Sequence, residues 1–165
     1  VGSGGTVEND FGNIRAAFPP AWGDIETACE WGVDGVSVGP CLAASGDRNR
    51  FYNSWDVGGV FISASVAVAA SAAEYLDNSG FFLGTPTTDC ASYEGRIDYD
   101  DNVYTGLSDS WSGCGPSGNG SAVTIAALPA DQSFLVVVHF RLANPDEVGY
   151  LQGIIESFFV DNADF

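Results

Sequence analysis

Nine consecutive residues, Phe134 to Leu142, limit what this chain can fold into more than any other stretch. The run reads Phe-Leu-Val-Val-Val-His-Phe-Arg-Leu and is mostly β-branched or aromatic. Turn residues bound it on both sides: Leu128-Pro-Ala-Asp-Gln-Ser133 before it and Ala143-Asn-Pro-Asp-Glu-Val-Gly149 after it. That length, composition and punctuation specify a strand, not a helix. Phe134, Val136, Val138, Phe140 and Leu142 share one parity and so face one side of a sheet. Five large apolar residues on one face belong in a core. Leu135, Val137, His139 and Arg141 face the other side, apolar at one end and polar at the other, and partial cover is expected there. After the turn, Tyr150 to Val160 reads as a second strand, with Gly153 at a bulge or close approach.

The rest of the chain supports one all-β domain. Its 165 residues fit a single unit with a substantial core. Short strands are expected at Val33–Val38, Val60–Val68, Phe81–Leu83, Tyr93–Tyr104 and Val123–Leu128, separated by Gly, Pro and Asn turns. Asp24 is expected to cap a short helical turn, Ile25 to Glu30, and the Ala-rich stretch Ala69–Leu76 to turn helical. Gly46–Arg50 and the Gly-rich segment Ser108–Ser121 read as loops. About eight short strands joined this way indicate a β-sandwich or jelly roll with short helical turns in its connections. The expected division is an N-terminal tail, Val1 to Phe11, and a single sandwich domain over residues 12–165.

Charge narrows the partners. Twenty-two acids face five arginines and no lysine, a formal net charge of −17. Such a surface repels phosphate backbones and anionic lipid, which argues against nucleic acid and against membrane association. No run approaches the ~20 apolar residues of a membrane span. Cys29, Cys41, Cys90 and Cys114 are even in number and contain no Cys-x-x-Cys pair. With one histidine in the chain, disulfides in an extracellular setting are the expectation over a zinc site. Three connectivities are open; pairing Cys29 with Cys41 and Cys90 with Cys114 closes the shortest loops. No signal peptide is visible, so a secreted chain is expected to start at a processed site, Val1.

A resemblance enters at the end of the chain. A Leu-Pro turn, a long hydrophobic strand, an acidic loop, Gly149-Tyr-Leu-Gln-Gly153 and a closing Phe-rich segment follow one another there. This order resembles the C-terminal end of the TasA/camelysin family of secreted biofilm-matrix fibre proteins. Tyr150 stands where that family has Asn, and the spacing is one residue shorter. The front of the chain lacks the family's usual Phe-x-Asp start. The resemblance implies a jelly-roll fold and a fibre-forming role. The peptidase activity suggested by the name camelysin has no His-Glu-x-x-His motif to support it here.

Gly35-Val-Ser-Val-Gly39 matches the nucleophile elbow Gly-x-Ser-x-Gly, but Pro40-Cys41 follows in place of a helix. Only His139 is available as a base, and it lies mid-strand. No catalytic set is expected. Asp98, Asp100 and Asp101 cluster enough oxygen to suggest calcium, without the glycine and distal glutamate of an EF-hand. Asn119-Gly-Ser121 is a glycosylation sequon in an expected loop.

These readings converge on a secreted structural subunit of a pilus-like or biofilm-matrix filament, with itself as partner. The Gly-rich tail is the expected donor strand, anchored by Val7 and Phe11 with Val1 as a further contact. It lies either along its own domain or in a neighbour's sheet. The alternative is a carbohydrate- or calcium-binding jelly-roll module that stacks sugar on Trp22, Trp55, Tyr93, Tyr104 or Trp111.

Overall fold

The computed structural model describes residues 5–33, 35–67, 71–78 and 89–161. Its strands are β1 (Thr6–Glu8), β2 (Ile14–Ala17), β3 (Asp24–Val33), β4 (Val36–Ser45), β5 (Gly59–Ser65), β6 (Cys90–Asp100), β7 (Tyr104–Cys114), β8 (Gly120–Pro129), β9 (Leu135–Leu142) and β10 (Phe159–Val160). Its helices are α1 (Arg48–Asn53), α2 (Ala72–Asn78) and α3 (Val148–Ser157). Two antiparallel sheets form an all-β sandwich of unequal layers. The larger has the order β3-β4-β5-β9-β8-β7-β6, the smaller β1-β2-β10. The expected strand Phe81–Leu83 and residue Val1 lie outside the described residues.

The large sheet consists of two meanders, β3-β4-β5 and β6-β7-β8-β9, joined where β5 pairs antiparallel with β9. That places β9 at the centre, and all eight of its residues are buried. Partial cover of its second face is therefore corrected: Leu135, Val137, His139 and Arg141 are each at most 4% exposed. On the first face, Val136, Val138, Phe140 and Leu142 join Leu42, Val60, Ile62 and Ile125 in the main core. Ile14, Ala16 and Val160 of the small sheet, and Ile154 of α3, close that core from the other side. On the second face, Leu135 and Val137 pack with Trp31, Phe61 and, from α2, Ala72 and Leu76.

Several elements differ from expectation for local reasons. The second strand expected from Tyr150 is the helix α3. Asn144 accepts a hydrogen bond from the Asp146 amide at 3.0 Å, Pro145 occupies the first turn, and Glu147 accepts from the Ala143 amide at 2.7 Å. These are helix-start devices. Ile154, Ile155, Leu151 and Tyr150 then pack against the core at helical spacing. Gly149 and Gly153 disguise that spacing, because glycine disfavours a helix interior. Asp24 opens β3 instead of capping a helix, and residues 48–53 form α1, where the Asp47 side chain accepts from the Arg50 amide at 3.2 Å. The loop expected at Ser108–Ser121 is largely strand. It contracts to residues 115–119, where Gly115 and Gly118 adopt positive φ.

Tyr104 ties the two sheets together. Its buried hydroxyl donates to the Val160 carbonyl at 3.1 Å and accepts from the Val160 amide at 2.9 Å. Its ring stacks on Phe158 at 5.4 Å between centroids. Tyr104→Phe would leave both backbone groups of Val160 without this partner while keeping the ring. The expected loss is about 1–3 kcal/mol of stability, measured by denaturant unfolding.

Candidate assembly edge

The small sheet holds the residues singled out as a donor. Thr6, Val7 and Glu8 of β1 stand opposite Ala17, Ala16 and Arg15 of β2 in the same chain. Among the described residues, β1 has no other partner strand and forms an edge. Val7 is half-buried and packs against the main core, whereas Phe11 lies outside the strand and is 55% exposed. The turn from β1 to β2 is held at its base by two buried asparagines. Asn9 Oδ1 accepts from the amides of Asn13 and Ile14 at 3.0 and 2.9 Å, and Asn9 Nδ2 donates to Asn13 Oδ1 at 2.6 Å. Beyond them, Asp10, Phe11 and Gly12 are exposed, and Gly12 has φ +72°.

The large sheet presents its edges differently. Its outer strands are β3 and β6. Cys29 of β3 is bonded to Cys41 of β4, and Cys90 of β6 to Cys114 of β7. In each case the two cysteines are directly opposed across neighbouring strands. The shortest-loop connectivity is the one present, and each bridge fastens an edge strand to its inner neighbour. Both edges also carry register breaks, at Glu26/Cys29 and Trp31/Gly32 in β3 and at Tyr93/Gly95 in β6.

A polar row, buried except at Arg96, crosses the second face of the large sheet. Arg96, Asp109, Thr124 and His139 stand opposite one another on β6, β7, β8 and β9. The Asp109 carboxylate accepts from Arg96 Nε and Nη2 at 2.7 and 2.9 Å and from the Tyr93 hydroxyl at 3.0 Å. Arg96 Nη1 donates to Asp77 of α2 at 2.7 Å. Thr124 Oγ1 and His139 Nδ1 are hydrogen-bonded at 2.8 Å. Burial, assisted by the charge of Arg141, lowers the His139 pKa to about 3. Arg141 lies 4.1 Å over the Trp55 ring and donates to the Ser54 carbonyl at 3.1 Å. Sequence reading found His139 but not this row, because register alone aligns its members.

The remaining candidates have structural placements. Ser37 lies within β4, two residues past the β3–β4 turn, without the strand-to-helix bend of an elbow. The acidic stretch is the β6–β7 turn. Asp101 Oδ1 accepts from the amides of Val103 and Tyr104 at 2.9 and 2.7 Å, its Oδ2 from the Tyr99 hydroxyl at 2.5 Å, and Asp100 Oδ1 from the Asn102 amide at 2.9 Å. Asp98 lies back along β6. Among the described residues, no group of three or more His, Cys, Asp or Glu side chains is placed to hold a metal ion. Asn119 is exposed in the β7–β8 turn. Of the aromatic residues considered for sugar stacking, Trp22, Tyr104 and Trp111 are buried, and Trp55 is covered by Arg141. Tyr93 is 55% exposed but leans on Trp111, with ring centroids 5.5 Å apart. Among the described residues, no helix is long and apolar enough to cross a membrane.

Two outcomes test this description. Replacing Cys90 and Cys114 together by Ser opens a loop of 24 residues. The expected loss is about 3 kcal/mol, which lowers Tm by roughly 6–12 °C in calorimetry. His139 supplies the second. Its folded pKa lies below the unfolded value near 6.5, so the unfolded state binds the proton first as pH falls. The stability tied to neutral His139 is complete above about pH 6.5 and is lost as pH falls toward about 3. Relative to His139→Gln, the wild type is expected to lose on the order of 2 kcal/mol between neutral pH and about pH 4.5. Parallel pH curves for the two proteins would rule the account out.

No family model matches the chain, and no curated protein matches it.

Proposed function

We propose that this protein is a secreted structural subunit that polymerises head-to-tail into an extracellular filament by exchanging its first strand between copies. The observation that carries the reading is β1: a three-residue edge strand, paired among the described residues with β2 alone, and joined to it by an exposed turn. Such a strand makes few contacts of its own, yet its Val7 fills a place in the main core. A strand from a neighbour would supply the same main-chain hydrogen bonds and the same side chain, which is the physics of strand addition. Exchange between identical chains in a head-to-tail sense produces an open filament, not a closed dimer.

Three further features support this reading. The two disulfides suit an oxidising exterior. Residues Leu128 to Phe165 resemble the end of the TasA/camelysin fibre proteins; within them the long strand is β9, whereas the closing segment is mostly the helix α3, with only Phe159–Val160 in a strand. Of the five aromatic residues considered for sugar stacking, Trp22, Tyr104 and Trp111 are buried and Trp55 lies under Arg141, which leaves Tyr93 as the exposed ring.

Electron microscopy of purified protein is the test. The full chain is expected to form filaments of constant repeat. Growth should quicken as salt screens the mutual repulsion of subunits carrying −17. A chain lacking residues 1–10 is expected to remain folded and monomeric. Filaments of unchanged repeat from the truncated chain would remove the first strand from the mechanism.

A further inference from the structure

We infer that the acceptor is the edge of β2 that β1 now covers, and that its partner is the Thr6–Glu8 strand of a second copy, bound in the resident register. The inference rests on the filament reading and identifies the surface that reading leaves open. Three independent features lead to it.

The large sheet is closed to exchange. A strand can be traded between copies only if it can leave its neighbour, and both outer strands are held by a covalent bond at an opposed pair, Cys29–Cys41 and Cys90–Cys114. Addition outside them is also disfavoured. The bulges interrupt the ladder an incoming strand would need, and Gly95 adopts φ +108° at the break in β6. Glu30 on β3, and Glu94, Asp98 and Asp100 on β6, are exposed on these edges. They would meet a partner that is itself strongly acidic.

The small sheet lacks these devices. Neither disulfide involves β1, β2 or β10, and β1 pairs with β2 without a register break. When β1 leaves, it uncovers both the β2 ladder and the site where Val7 packs on the core. The exposed residues Asp10 to Gly12 are the segment that must straighten, and they give up two backbone bonds, from the Asp10 amide to the Thr27 carbonyl at 2.8 Å and from the Gly12 amide to the Asn9 carbonyl at 2.9 Å, while the Asn9 side-chain bonds to Asn13 and Ile14 must be remade between copies.

Cross-strand charge and the inward parity of Val7 both favour the resident register. Arg48, Arg50 and Arg96 are in ion pairs with Asp24 and Glu26, with Asp56, and with Asp77 and Asp109. Arg141 is buried against Trp55. Arg15, at the middle of the small sheet, is exposed, lies 4.6 Å over the Phe159 ring, and stands opposite Glu8. It gives the acceptor a positive charge where the donor brings a negative one. A slip of one residue would turn Val7 away from the core and move Glu8 from Arg15.

Single-cysteine substitutions at an opposed pair test this. Thr6→Cys and Ala17→Cys proteins, which lie opposite in the register, are mixed, allowed to polymerise, oxidised and run on a non-reducing gel. A cross-linked dimer containing one of each is expected from the mixture and from neither protein alone. The doubly substituted protein, oxidised while monomeric, has its strand locked in place and is expected to stay monomeric. Wild-type filaments together with a mixture that polymerises without the cross-link, or a locked protein that still polymerises, overturn the acceptor assignment alone. Absence of filaments from the wild type overturns the filament reading and the assignment with it.

Discussion

The burial of β9 on both faces is the constraint on which the structure depends. It is the middle strand of seven, and its pairing with β5 is what makes one sheet of two meanders. On one side Val136, Val138 and Phe140 form the floor under the small sheet and α3; on the other Leu135 and Val137 support α2. A central strand covered twice needs two covering layers, and the short elements supply them. None of β1, β2, β10 or α2 is long enough to be stable alone, since isolated short helices and hairpins are marginal in water. Their order comes from the apolar surface they share with β9 and its neighbours.

Double burial has an electrostatic consequence at the polar end of β9. His139 and Arg141 cannot remain solvated there, so each must find internal partners. Thr124 meets His139, the Ser54 carbonyl and the Trp55 ring meet Arg141, and two strands away Asp109 is held by Arg96 and Tyr93. Arg96 extends the same row to Asp77 on α2. These groups align because antiparallel register places them opposite one another, and they fix how α2 and the β6–β7 hairpin sit on the sheet. The row is a structural lock: Asp109, Thr124 and His139 are buried, and Arg96 carries the row out to Asp77 at the surface.

The edges of the two sheets are managed in opposite ways. The large sheet has long outer strands, which invite uncontrolled pairing, and it carries disulfides, bulges and carboxylates on both. The small sheet ends in a short strand with no covalent tie and a cation opposite its acid. Where association is suppressed on one surface and left possible on another, the difference itself gives assembly a direction. This contrast is the physical basis for reading β1 and β2 as the donor and acceptor of a polymer.

Sequence by itself determined the strand character of Phe134–Leu142, the all-β class and the turn-rich connections, because period-two patterning and turn chemistry are local properties. It left three disulfide connectivities open, and strand register, which opposes Cys29 to Cys41 and Cys90 to Cys114, decided among them. It misassigned α3, where two glycines mask a helical apolar spacing and only contact with the core decides between helix and strand. It placed Val7 and Phe11 on one strand, although the buried Asn9–Asn13 hydrogen bonds turn the chain between them. The polar row and the fastened edges were not legible at all. Both depend on which residues lie opposite one another across strands distant in sequence, and register is set only when the strands pack into a single core.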